Sequence, residues 1–435
     1  MTKKIFCALA AIIMAFAAVG LSACGNEAQK PDDNPPAKEK LERLYNEGMT
    51  YDKYELDTYI YPYWRGNVVY NETALFVGKN DASPLLYKAT EILSVRSYDL
   101  KTVYEEGKDY TYDAENNLLK RTENSAIPYV EEDDWYLPAD KAKEQNATSW
   151  PKKGSDVNGG GYQTYLFFRE GSYISNLQVA ITYKHNEYAS EEWEVPAVFK
   201  DKFTRLTAKL EAKEPVKVGY LGDSVTFGAI ASGMPGSSFE PNAEIYARMM
   251  TSYMAKHFDN ENITYVNPSV GGKDAAWGRM QAESNEQLRG LDFCVVAFGL
   301  NDLHTPYDAK HISYAIRIGE IVENLQAHNP DIEVLIVAPM IGNPESTVYY
   351  DIDRQMQALY NEFFPEGEES EYKNVGIAEV TKMHRQLYRK KGERYRDITA
   401  NNINHPNDFA GRVYTMTCLT AMFGHDYFLT ENSNP

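Results

Sequence analysis

The chain has 435 residues, 43% hydrophobic and 25% charged, an ordinary globular composition that leaves room for two domains with substantial cores and argues against disorder. Its formal net charge is -19, and no basic cluster with interleaved aromatics interrupts it. Such a surface repels phosphate backbones, so nucleic acid is not an expected partner.

At the N-terminus, Lys3 and Lys4 precede an apolar run from Ile5 to Leu21. The run is too short and too sharply ended for a membrane span and has the form of an export signal. It closes on Leu21-Ser22-Ala23-Cys24, which resembles the lipobox of bacterial lipoproteins. That resemblance implies a signal peptide over 1–23 and lipidation of Cys24. The mature protein is then expected at the bacterial cell surface, extracytoplasmic and held to the membrane by acyl chains, each buried methylene contributing about 0.8 kcal/mol. Residues 24–45, polar and proline-bearing, have the composition of a flexible tether. Of the remaining cysteines, Cys7 lies in the signal, and Cys294 and Cys418 lack metal-site spacing and read as buried small hydrophobes.

From 46 to 196 short aromatic and β-branched runs such as YELDTYIYPYW, EILSVRSYDL and LQVAITYKH are punctuated by Gly, Asn and Asp clusters. This pattern predicts an all-β sandwich or jelly-roll domain. Its many tyrosines suit half-buried strands, and a face of rings stacking on sugars is the second reading of them. Residues 197–215 carry apolar positions at helical spacing and close on Pro215, which predicts a connecting helix.

From 216 to 427 the period changes. Apolar runs at 216–221, 263–267, 292–298, 332–338 and 374–380 alternate with long amphipathic stretches such as KHISYAIRIGEIVENLQAH. Alternation of this kind predicts a parallel sheet covered on both faces, and such sheets bind ligands beyond the carboxyl ends of their strands. The chemistry-bearing residues fall where that rule puts them. Ser224 follows the first run in GYLGDSVTFG, and Gly271 and Gly272 follow the second. Gly299, Asn301 and Asp302 follow the third in FGLND, and His405 stands in ANNINHPND before the last helix. A hydroxyl, an imidazole near neutrality and a set of amide donors are what acyl transfer requires. The backbone N–H groups of Ser224 and Gly272 and the Asn301 carboxamide are the candidate oxyanion hole. Each residue also has a bland role, as helix cap, turn glycine or strand end; four together in this order favour the site.

These four blocks resemble those of the SGNH/GDSL hydrolases: Gly222-Asp223-Ser224 with Val225 in place of the leucine, then Gly272, then Gly299, Asn301 and Asp302, then His405. The resemblance covers about half the chain and implies a flavodoxin-like α/β/α fold with Ser224 as nucleophile and His405 as base. The α/β-hydrolase alternative lacks its elbow, because Ser224 is not within G-x-S-x-G. One position departs from the family, which usually carries an acid three residues before its histidine. Here that position is Asn402, so the expectation is a Ser-His dyad oriented by Asn402 or a backbone carbonyl, with Asp397 a second candidate and His304 a rival base.

A β-rich domain ahead of an SGNH domain is similar to carbohydrate esterases that remove acetyl groups from plant polysaccharides. The expected protein is therefore a surface-anchored serine esterase acting on acetylated polysaccharide. The alternatives are a lipid esterase, a cell-wall acetylesterase and an inactive glycan-binding lipoprotein. No phosphate loop, dinucleotide fingerprint or H-E-x-x-H motif is present, so no cofactor or metal is expected.

Overall fold

The structure is a computed structural model that describes residues 49–144, 149–186, 193–302, 310–348, 352–367 and 370–428, all within one compact unit. The signal, Cys24 and the tether lie outside the described residues, as does His304.

The second half is a five-stranded sheet of β11 (Val216–Gly222), β12 (Ile263–Val266), β13 (Phe293–Ala297), β14 (Glu333–Val337) and β15 (Val375–Ala378). The order is β12-β11-β13-β14-β15 and every pairing is parallel. The central strands read as unbroken apolar runs because both faces are covered. Val218, Tyr220, Val295 and Leu335 join the core beneath helices α1 (Thr204–Glu211), α3 (Tyr246–His257), α7 (Val380–Lys390) and α8 (Asp408–Phe423). Cys294, Val296, Val334 and Ile336 face α4 (Ala275–Ser284), α5 (Lys310–His328) and α6 (Ile352–Phe363). The strands and helices therefore stand where the sequence period puts them, and the expected α/β/α layering is present. Between β11 and β13 the chain reverses its direction of travel across the sheet, which opens a crevice at the strands' carboxyl ends. The one-turn helix α2 (Ser224–Phe227) starts there. Cys294 and Cys418 are both buried free thiols, as their apolar surroundings suggested.

Over 46–196 the run YELDTYIYPYW does not form the expected strand: Leu56–Tyr59 is a helical turn and the residues after it are turns. EILSVRSYDL and LQVAITYKH do form strands, within an arrangement of three separate antiparallel sheets. The largest is built from β1 (Val68–Leu75), β3 (Ala89–Ser97), β4 (Val103–Tyr104) and β10 (Gln178–His185), in the order β1-β10-β3-β4. A second joins β2 (Ala82–Pro84), β6 (Leu118–Arg121) and β5 (Tyr110–Asp113); a third joins β7 (Tyr136–Pro138), β9 (Thr164–Phe167) and β8 (Ser149–Pro151). Strand β1 is buried at all eight residues, so it has no solvent face of the kind an isolated sandwich shows. Leu75 packs with Val130, Trp135 and Ile174, and Tyr70 packs with Tyr61, while part of the cover comes from the α/β half. Tyr59, Tyr63, Val69 of β1 and Val179 and Ile181 of β10 share one apolar core with Phe409, Val413 and Met416 of α8.

Polar contacts follow the same seam. The buried Arg412 of α8 donates to the carbonyls of Tyr59 (3.0 Å), Tyr70 (2.6 Å) and Thr58 (3.3 Å) and lies over the rings of Tyr59 and Tyr63. Glu72 of β1, fully buried, accepts from Lys391 Nζ at 2.5 Å and from Tyr183 Oη at 2.7 Å. Tyr59, Tyr61, Tyr63, Tyr70, Tyr87 and Tyr183 are buried, but of these only Tyr70 and Tyr183 lie in strands; the others are packed from a helical turn and loops.

Candidate active site

Ser224 is the first residue of α2, and Asp223 caps that helix by accepting from Val225 N at 2.9 Å. Only glycine fits at 222, because a Cβ there would meet Thr226 Oγ1 at 2.3 Å and the Ala297 carbonyl at 2.5 Å. The strand thus turns tightly into the helix and leaves Ser224 at the crevice, 8% exposed. Burial pushes the Asp223 carboxyl up to about 6.

His405 comes from the loop between a short turn and α8. Its backbone is fixed on both sides: His405 N donates to Asn401 Oδ1 at 3.0 Å, and its carbonyl accepts from Ala400 N at 2.9 Å and Thr399 Oγ1 at 3.0 Å. Asn407 then caps α8 through Ala410 N. So held, His405 Nε2 lies 2.9 Å from Ser224 Oγ.

The other ring nitrogen has a partner that sequence reasoning missed. His405 Nδ1 is 3.3 Å from Glu170 Oε2, on the segment after β9, 235 positions away in sequence. Glu170 Oε1 accepts from Asn401 Nδ2 at 3.2 Å, so one asparagine ties both the histidine backbone and the carboxylate. The Glu170 side chain is 52% exposed. Burial pushes its carboxyl upward, but the hydrogen bond and charge of His405 and the bond from Asn401 outweigh this and hold it below its ordinary value. A carboxylate only accepts, so the ring proton belongs on Nδ1 and Nε2 is left to accept from the serine.

Neither expected orienting residue hydrogen-bonds to the ring. Asn402 donates through Nδ2 to the Phe167 carbonyl at 2.9 Å, and its Oδ1 accepts from Asn343 Nδ2 at 3.1 Å. It stands at φ 68, a left-handed conformation that asparagine tolerates better than most residues. Asp397 is fully buried at the seam with β1 and β2, accepting from Leu75 N (2.9 Å), Ser83 Oγ (2.8 Å) and Arg394 Nε (3.0 Å). Those partners occupy it, and they explain why it does not fold back to the histidine.

On the side expected to hold the oxyanion, Gly272 has φ 72, and a Cβ built on Gly271 would lie 3.6 Å from Ser224 Cβ, so this turn passes directly beside Ser224. Asn301 donates to the Lys273 carbonyl at 3.0 Å, which fixes its carboxamide against the same turn. Asp302 accepts from Ala275 N at 3.0 Å at the start of α4. Its Oδ2 has no partner among the described residues, and burial, with Asp274 and Asp223 nearby, pushes its carboxyl up to about 7.

The family model for GDSL-like lipases and acylhydrolases matches residues 220–411. No protein with a curated description matches the sequence. Solved structures similar to the chain include a two-domain esterase active on acetylated mannans, co-crystallised with mannopentaose. It is 18% identical, with 51% of this chain and 52% of that chain covered and a TM-score of 0.39. A putative GDSL-like lipase from Parabacteroides merdae is 14% identical over 52% of this chain and 98% of that one, TM-score 0.38. An acetylxylan esterase from Geobacillus stearothermophilus is 15% identical over 48% and 94%, TM-score 0.36. The chain spans about half the length of the two-domain esterase.

Proposed function

Because residues 220–411 form a domain of the GDSL-like lipase/acylhydrolase family, we propose that this protein is a serine esterase that removes O-acetyl groups from polysaccharide. The observation that carries the reading is the 2.9 Å contact between Ser224 Oγ and His405 Nε2. As Ser224 attacks the acyl carbon, its proton passes to Nε2; the oxyanion forms beside the Ser224 and Gly272 amides and the Asn301 carboxamide. The imidazolium then protonates the departing sugar hydroxyl, and water repeats the sequence on the acyl-enzyme. A polysaccharide substrate fits a lipidated chain exported through the signal at 1–23 and anchored at Cys24. It also fits a β-rich region ahead of the hydrolase domain, an arrangement similar to that of carbohydrate esterases. An inactive glycan-binding role is disfavoured by a serine and histidine in hydrogen-bond contact.

The test is acetate release from acetylated xylan, mannan, pectin and peptidoglycan by the wild type and Ser224→Ala. Turnover on at least one polysaccharide, reduced about 10^4-fold or more by the substitution at unchanged melting temperature, is the expected result. Undiminished turnover by folded Ser224→Ala would exclude the serine mechanism.

A further inference from the structure

We propose that Glu170 is the positioning acid of the active site, so that the segment ahead of the hydrolase domain supplies the carboxylate that position 402 lacks. The inference rests on the Ser-His reading above and deepens it. Three contacts carry it: Glu170 Oε2 lies 3.3 Å from His405 Nδ1, Asn401 Nδ2 holds Oε1 at 3.2 Å, and Asn402 Nδ2 holds the end of β9 through the Phe167 carbonyl at 2.9 Å. The last contact gives the neutral residue at 402 a purpose. An amide can donate to a carbonyl and a carboxylate cannot, so Asn402 secures the strand that delivers the acid from elsewhere.

In the reaction the Ser224 O–H bond breaks as the bond from Oγ to the acyl carbon forms, and the proton moves to His405 Nε2. Nδ1 already carries its proton, so the ring becomes an imidazolium facing an ionised Glu170. Glu170 remains ionised, and the proton leaves with the alcohol. Among charged groups around the ring, Asp223 acts on it from the nucleophile's turn. Asp408 and Arg412 on α8 are directed elsewhere, Asp408 to Ser232 N and Arg412 to the carbonyls of Thr58, Tyr59 and Tyr70.

The test compares wild type, Glu170→Gln and Glu170→Asp in pH profiles of kcat/KM on a chromogenic acetyl ester and in labelling of Ser224 by a fluorophosphonate. Glu170→Gln removes the charge and one of the two acceptor oxygens, so its amide can accept from Asn401 or from His405 Nδ1 but not from both. It should lower the plateau about 10^2- to 10^4-fold and move the acid limb to lower pH, because the imidazolium loses its counter-charge; Glu170→Asp should recover part of the rate. If wild type is labelled at Ser224 and Glu170→Gln matches it in plateau and acid limb, the role of Glu170 is overturned while the serine reading stands. Failure of the fluorophosphonate to label Ser224 in an active wild type overturns both.

Discussion

Asp302 accepts from Ala275 N at the start of α4, and burial pushes its carboxyl up to about 7 from the ordinary 3.8. A raised carboxyl favours the folded state below 3.8, and that advantage is lost as pH rises through about 7. Asp302→Asn should therefore gain melting temperature relative to wild type between pH 5 and pH 8, and a constant difference across that range would contradict the assignment. Asn402 likewise serves its neighbours, with both ends of its carboxamide engaged by Phe167 and Asn343. Ser224, Gly272, Asn301 and His405 were legible in sequence because each sits in a short motif at a strand or helix end. Glu170 was not, since nothing local marks it. The one signal was negative: an amide at 402, where the resemblance leads one to expect an acid.

At the scale of elements, the parallel strands and their helices were legible because continuous apolar runs and helical periods are local properties. The pairing of the first-half strands was not. Which short strands share a sheet depends on what covers them, and β1 is covered in part by α8, far along the chain. Arg412 is the polar centre of that contact. Arg412→Ala would leave the Thr58, Tyr59 and Tyr70 carbonyls without this donor and should cost roughly 3 to 5 kcal/mol by chemical denaturation. The expected outcome is loss of stability with little change in KM for the remaining folded protein.

For the molecule as a whole, the shared core and the Glu170 contact make the two halves interdependent. A chain beginning at 197 would expose the face of α8 that meets Tyr59 and Tyr63 and would lack the carboxylate at His405. It should be poorly soluble, and any soluble fraction should fall short of the full chain's kcat; a soluble fragment with full activity would refute this interdependence. The bond from Arg412 to the Tyr70 carbonyl also joins residues 342 positions apart. A ribosome must travel that whole interval before α8 exists, and until then β1 waits with its inner face uncovered. The early half of the nascent chain is thus the part most exposed to misassociation, and the arrival of α8, more than any local step, sets when it becomes safe.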